Sequence, residues 1–482
     1  MISPCQHTCP VGINVPKYVA HIAAGEYNES IATIRERNPF AAICGRICHH
    51  PCEGKCRRGE LDAPVAIRSL KRFASDWYFE HKAELPDQKP FPITKDQKVA
   101  VVGAGPAGLT CAYFLTQMGY KTTVFEAIAE GGGMLSEAIP DFRLPREVVL
   151  QDIDYIKSCG VEIKYNTPVN ADFTLDDIKK QGFTAIFIAA GAGKSLPIGI
   201  TGESDGLEGF HYGLTFLQDV KAGKKVKVGD KVAVVGGGNV ALDAARTALR
   251  LGAKDVEIFY RRSREEMPVS DIEYDEALDE GVKINFLVSP TLLTGDNKKV
   301  TGLKCIRMQL GEMDESGRRK PLAIQGSDFS VAADMVIAAV GQAPDLAFLP
   351  AGSTLERTSK ETLAVDANTL LTSMSGVFAG GDLVTGPDMV VNAIAAGRRG
   401  ALAIDKYLRA DSSRVEMYNL KDEVILPAAG GEEEIIVEAQ PRIEVPTLPT
   451  GERKQSFKEI ELALPEKEAV LEAKRCLRCD LG

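Results

Sequence analysis

Thiols crowd the two ends of this chain. Cys5, Cys9, Cys44, Cys48, Cys52 and Cys56 fall in the first 56 residues, Cys476 and Cys479 lie at the far end, and only Cys111, Cys159 and Cys305 stand between. The run Cys44-x3-Cys48-x3-Cys52-x3-Cys56 packs four thiols into a short segment, with Pro51 and Gly54 breaking any regular helix. Clustering of thiolates alone fits zinc or iron–sulfur chemistry, and the eight grouped ligands would saturate two 4Fe-4S clusters. His49 and His50 sit between these ligands, where solvent exposure or a hydrogen bond toward a sulfur is expected before ligation.

Two glycine-rich turns point to a second chemistry. Gly103-Ala104-Gly105-Pro106-Ala107-Gly108 follows an apolar strand, opens a helical run over 107–118, and is followed by a strand ending in Glu126. The glycines permit a tight turn and close approach of backbone to a pyrophosphate, the helix start favours its charge, and Glu126 is placed to accept from ribose hydroxyls. The echo, Gly236-Gly237-Gly238-Asn239-Val240-Ala241, has the same context, but its next strand ends in Arg261-Arg262-Ser263-Arg264. Guanidinium groups there would grip a 2′-phosphate that a carboxylate repels, so NADP(H) is expected over NAD(H), with a solvated basic turn as the alternative. With a redox nucleotide site in the same chain, iron–sulfur is preferred to zinc, which has no redox chemistry to couple to it.

The elements that must position these groups follow from pattern. Apolar residues recur at helical spacing over 15–38 and again over 57–82, so a small helical domain is expected at 1–95. Past a Pro-rich joint at 86–92, strands and helices alternate to about residue 410, the signature of an α/β protein with parallel sheets. The internal repeat implies two Rossmann-like units. The strand–turn Gly376-Val377-Phe378-Ala379-Gly380-Gly381-Asp382 reads as a return to the first unit. The expected division is 1–95, 96–204, 205–335, 336–410 and 411–482. The last span is an acidic, Pro-containing arm, expected to pack loosely, followed by a helix that delivers Cys476 and Cys479.

Composition excludes other classes. The chain has 482 residues, 44% hydrophobic and 26% charged, with net charge −10. No basic run with interleaved aromatics favours nucleic acid, and no apolar stretch is long enough to span a membrane. The N-terminus lacks a basic region followed by an apolar one, so a cytoplasmic, thiol-reducing location is expected.

Cys5-x3-Cys9-Pro10, Cys52-Glu53-Gly54-Lys55-Cys56, Pro64-Val65-Ala66-Ile67, both glycine turns, Arg261 to Pro268 and Gly380-Gly381-Asp382 together resemble the glutamate synthase small-subunit family. That family includes the flavin end of dihydropyrimidine dehydrogenase and the NADPH-binding subunits of electron-bifurcating transhydrogenases. The resemblance covers about residues 1–410 and the final helix. It implies nested FAD and NADP(H) domains of the two-dinucleotide flavoprotein kind, with the NADP(H) unit interrupting the FAD unit. It also implies hydride exchange between NADP(H) and FAD, single-electron exchange with iron–sulfur clusters, and no side-chain acid or base. Asp382 would meet the FAD ribityl–phosphate region after Gly381. Gly133 and Leu135, in Gly132-Gly133-Met134-Leu135, and Arg143, in Phe142-Arg143-Leu144-Pro145, would lie along the isoalloxazine.

Relatives commonly carry a Cys-x2-Cys just before the Cys-x3-Cys-Pro element, and here Cys476-Leu477-Arg478-Cys479 resembles that element at the other end. The resemblance thus implies that the last helix folds back, so that Cys5, Cys56, Cys476 and Cys479 share one cluster and Cys9, Cys48 and Cys52 hold another. A free tail, or a ligand pair for a partner's cluster, is the alternative. Some relatives supply a Gln or Glu as the remaining ligand; the matching residue here is Lys71, which cannot ligate while protonated, leaving Cys44 as the candidate. A disulfide reductase shares both nucleotide folds but needs a cysteine pair beside the flavin, and Cys111, Cys159 and Cys305 stand alone. The terminal acceptor is expected on a partner: a ferredoxin- or NADH-linked redox subunit, or a glutamate synthase large subunit. A non-catalytic wiring module is the reading from another class.

Overall fold

The structure is a computed structural model that describes residues 2–314, 317–350, 352–410 and 438–481. Its N-terminal region is helical: Pro4–Thr8, Val15–Ala23, Tyr27–Arg35, Ala41–Ile47 and Ile67–Glu80. The expected run over 15–38 divides in two at Gly25, whose φ of +78° ends the first helix. Asn14 starts that helix, its side chain accepting from Lys17 N, and Val15, Tyr18, Val19 and Ile22 form its buried stripe. The expected helix over 57–82 begins only at Ile67; Arg57–Glu60 is a single 3-10 turn, and Pro64 lies between.

Two five-stranded parallel sheets follow. The first has the order Val377–Ala379, Phe183–Ile188, Lys98–Val102, Lys121–Phe125, Glu162–Lys164, and the second Phe210–Tyr212, Met335–Ala338, Lys231–Val235, Asp255–Tyr260, Lys283–Phe286. Each glycine turn leaves the central strand of its sheet, and both central strands are buried beyond their first residue, as parallel strands covered on both faces must be. The second sheet lies between the fourth and fifth strands of the first in sequence, so the units are nested. Their crossing segments run side by side, Lys194–Ser195 pairing antiparallel with Gln342–Ala343.

Strand–helix alternation does not run unbroken to 410. Val288–Asp296 pairs antiparallel with Lys299–Met313, which pairs in turn with Arg319–Ala323 and Phe329–Ala332. The first of these hairpins turns at Asn297 and Lys298, both at positive φ. The arm's residues 411–437 lie outside the described residues. From Glu438 onward it is pinned rather than loose, with one helical turn at Thr450–Arg453: Arg442 pairs with Glu53, Glu459 with Arg46 and Arg72, and Glu461 with Arg68. No helix among the described residues is long and apolar enough to cross a membrane.

Candidate functional site

In the first nucleotide unit, the residues expected at the cofactor converge on the start of helix Pro106–Gln117. Gly108 packs so closely on the turn that a Cβ there would lie 2.0 Å from Gly103 O. Gly132 N donates to Ala104 O at 2.8 Å, which brings Gly133 beside Gly105 and begins the short helix carrying buried Leu135. Gly381, at φ +71°, comes against Ala107, and Asp382 opens the next helix. Glu126 accepts from Ala104 N at 2.7 Å and from Ile128 N at 3.0 Å, so its carboxylate is fixed while lone pairs remain. Burial pushes Asp382 up to about 7, the Asp388 N–H only partly opposing it.

The second unit builds a cleft of about 900 Å³ around Gly236, Gly238, Asn239, Val240 and Arg261. Gly236 is tight, its Cβ position 2.1 Å from Ala339 O, whereas a Cβ at Gly238 or at Gly105 would meet nothing within 4 Å. Each of these two is the cap of its helix and has an extended backbone open to any residue. The protein's own packing therefore does not require glycine there; an incoming pyrophosphate does. Asn239 Oδ1 is buried without a partner among the described residues. Arg261 makes no ion pair among the described residues, and burial, then Arg262 and Arg318, lower its proton affinity, as expected of a cationic patch waiting for an anion. Arg262 differs from its neighbour: it is buried and donates to Asp314 at 2.6 Å and to Arg319 O at 2.8 Å. These features fit FAD and NADP(H).

The eight end cysteines fold into two groups. Helix Glu466–Lys474 packs on Val15–Ala23 and Ile67–Glu80, and Arg475, 2% exposed, donates to Asp62 at 2.8 Å and Glu472 at 2.7 Å. This returns Cys476 and Cys479 to Cys5 and Cys56. Burial pushes Cys5 up to about 12; Ser3 opposes this, and Cys476, Cys56 and Cys479 add to it. The other group is more deeply buried. Burial, then Cys48, pushes Cys44 up to about 12, with Lys71 and Asn38 opposing. Burial raises Cys52 well above the ordinary thiol range; Lys71 opposes it, and Cys9 and Cys48 reinforce it. No thiol is in a disulfide, and Cys48 Sγ accepts from His50 N at 3.4 Å. Eight free thiols in two groups fit iron–sulfur ligation. Among the described residues, no three His, Cys, Asp or Glu side chains converge closely enough for a single metal ion.

Residues 97–397 match the family described as pyridine nucleotide-disulphide oxidoreductase, well over half of the chain. The chain belongs to that family. Residues 2–83 of this oxidoreductase match the dihydropyrimidine dehydrogenase domain II, 4Fe-4S cluster family. The chain is 42% identical to the beta subunit of NADP(+)-dependent formate dehydrogenase from Moorella thermoacetica, over 99% of this chain and 70% of that one. With the NADPH-Fe(3+) oxidoreductase subunit beta of Geobacter sulfurreducens the identity is 41%, over 99% and 75%. With the NADPH glutamate synthase small chain of Escherichia coli K12 it is 36%, over 84% and 88%. The fold is that of Mycobacterium tuberculosis FprA in complex with NADPH, at TM-score 0.57 and 18% identity over 66% of this chain and 85% of that one. The oxidoreductase is thus an NADP-dependent flavoprotein with an iron–sulfur domain.

Thiols and nucleotide units meet at one cavity of about 70 Å³, lined by Cys48, His49, Phe142, Arg143, Asn239 and Met389 among others. His49 Nδ1 is buried there without a hydrogen-bond partner among the described residues. Arg143, expected along the isoalloxazine, reaches across this cavity to Asp243 and Glu273 of the second unit. Sequence reasoning missed Met389 and the anchor in which Arg58 and Arg475 each donate to Asp62 at 2.8 Å; only the fold brings Arg475 to the other two.

Proposed function

We propose that this chain is the NADP(H)-linked subunit of a multi-subunit redox complex of the transhydrogenase or electron-bifurcating type. The supporting observation is the cavity shared by Cys48, Arg143 and Asn239, which joins the iron–sulfur domain to both nucleotide units. Held there, FAD would supply the conversion between two-electron hydride chemistry and single-electron transfer, and 4Fe-4S clusters on the cysteines would carry one electron each.

The chain's residues bind, fix and insulate. The turn and helix start of Gly103, Gly105, Pro106, Ala107 and Gly108 would hold the FAD pyrophosphate, Glu126 its ribose, and Gly133, Leu135, Gly381 and Asp382 would close the pocket. Gly236, Gly238, Asn239 and Val240 hold the second pyrophosphate. Arg261 takes the 2′-phosphate, while Arg262 is turned inward to Asp314 and Arg319 O and holds the turn. Cys9, Cys44, Cys48 and Cys52 hold a buried cluster, and Cys5, Cys56, Cys476 and Cys479 hold a second. The outer four are all partly exposed and the inner four all buried, so the outer group is where a one-electron partner would meet the chain. Relatives that match over 99% of the chain include beta subunits whose names carry NADP(+) or NADPH, in keeping with this reading.

The test is the chain purified without air. We expect FAD, acid-labile sulfide, bleaching by NADPH without partners, and reduction of a one-electron dye. Protein with neither flavin nor sulfide would end the proposal. A second reading, the small subunit of an NADPH-dependent glutamate synthase, draws on the 36% identity to that chain. A native complex that forms glutamate from 2-oxoglutarate and glutamine would favour it; one exchanging electrons with ferredoxin or NADH would favour the first.

A further inference from the structure

Two of the three guanidinium groups on the turn after strand Asp255–Tyr260 are already engaged. Arg264 pairs with Asp271 and lies over the Tyr274 ring, and Arg262 is buried against Asp314. A phosphate monoester carries roughly two negative charges at neutral pH, more than Arg261 alone balances. A further guanidinium reaches the same cleft from another part of the chain: half-buried Arg318 lines it together with Tyr260 and Arg261. Arg318 sits at the tip of the hairpin in which Met313 faces Arg319. Asp314 closes that tip, its N–H donating to Arg318 O at 2.8 Å and its carbonyl accepting from Gly317 N at 2.9 Å, with Gly317 at φ +73°. Arg262 then clasps the tip on both sides of Arg318, donating to Asp314 Oδ2 at 2.6 Å and to Arg319 O at 2.8 Å. The inward turn of Arg262 therefore has a consequence for its neighbours: it fastens the segment bearing Arg318 to the segment bearing Arg261.

We propose that Arg318 is a second ligand for the 2′-phosphate of NADP(H), acting with Arg261, and thereby a determinant of NADP(H) over NAD(H). The inference rests on the proposed reading that Arg261 marks the 2′-phosphate position. A guanidinium stays charged at any working pH and forms charge-assisted, forked hydrogen bonds to phosphate oxygens, whereas the neutral 2′-hydroxyl of NAD(H) gains little from it. Two like charges gathered in one cleft repel, and a dianion between them turns that cost into attraction. The antiparallel sheet, which joins neither parallel sheet, so acquires a role: it carries the second half of the phosphate site to the nucleotide turn.

The test measures binding of NADP+, NAD+ and 2′,5′-ADP to the anaerobic holoprotein by calorimetry, in wild type, Arg318→Ala, Arg318→Gln, Arg318→Lys and Arg261→Ala. Arg318→Ala and Arg318→Gln should each weaken NADP+ roughly tenfold or more, leave NAD+ little changed and melt as wild type does. The loss should be equally large for 2′,5′-ADP, which has the phosphate but no nicotinamide. Arg318→Lys should recover part of it, keeping the charge without the fork. If the alanine variant does not fold, the glutamine variant decides by the same comparison. NADP+ binding unchanged on removal of the Arg318 charge, or an equal loss for NADP+ and NAD+, would overturn the assignment. A wild type that binds both nucleotides alike, or an Arg261→Ala variant that keeps the full preference, would overturn it together with the reading on which it rests.

Discussion

Arg143 Nη1 donates to Asp243 Oδ2 at 2.7 Å, joining the first nucleotide unit to the helix Asn239–Arg250 of the second. Glu273 takes the other arm of the guanidinium. Burial pushes Asp243 up, with Arg143 partly opposing, so the carboxylate depends on its partner. Arg143→Met should therefore destabilise the chain by about 3–5 kcal/mol in denaturant unfolding, because buried Asp243 and half-buried Glu273 lose their shared cation. Adding Asp243→Asn should recover part of that loss. Strict additivity of the two changes would mean the pair is not coupled.

Gly105 and Gly238 separate binding from folding. A methyl group on either meets open space and an ordinary backbone, so Gly238→Ala should melt within a degree or two of wild type. It should nevertheless raise KM for NADPH about tenfold or more, the equivalent of 1.4 kcal/mol of lost phosphate contact. Gly236→Ala is the control: its added carbon would strike Ala339 O, so it should lose stability as well. Unchanged NADPH kinetics in a folded Gly238→Ala would move the pyrophosphate elsewhere.

The adjacent arginines should behave differently. Arg261→Ala should lower kcat/KM for NADPH by roughly 10–100-fold and leave NADH little changed, since it removes a charge-assisted phosphate contact but no ion pair among the described residues. Arg262→Ala leaves Asp314 without that partner and should lower the melting temperature. Equal losses with both nucleotides in Arg261→Ala would assign that residue a structural role.

How much of this was legible depends on how local the signal is. Both glycine turns and their strands are complete within thirty residues, and each appeared as the spacing indicates. Arg261 and Arg262 look equivalent in the sequence. They part only because the second meets Asp314 and Arg319, which arrive from the antiparallel sheet. That sheet was itself hidden, because its edge strands alternate exposed and buried residues weakly, although Gly295-Asp296-Asn297-Lys298 carries turn chemistry. The return of Cys476 and Cys479 could be inferred from resemblance but not from pattern. Its fastening, Arg475 to Asp62, joins residues at opposite ends of the chain.

Asp382 gives a pH dependence. Its carboxyl is raised by burial from about 3.8 to about 7, so the folded state binds its proton more tightly than the unfolded chain does. Stability from this group is full below pH 4, falls as pH rises, and is lost above 7, on the order of 4 kcal/mol. In flavin-free protein, Asp382→Asn should gain on wild type between pH 4 and 7 and hold that gain above. A difference between the two that does not vary with pH would show that Asp382 titrates normally.

Cys476 and Cys479 decide whether the chain completes its own outer cluster. Arg475 is locked to Asp62 and Glu472, and Glu472 in turn accepts from Ala66 N and Ile443 N, so the last turn is fixed independently of any metal. The double variant Cys476→Ser and Cys479→Ser should therefore fold, keep FAD and bleach with NADPH, while iron falls from eight to about four per chain, because a cluster of four irons needs its thiolate ligands. Electron transfer to a one-electron protein acceptor should fall at least tenfold even though flavin reduction persists. Eight irons retained in the double variant would detach the C-terminal pair from this chain's chemistry and leave it for a cluster on another subunit.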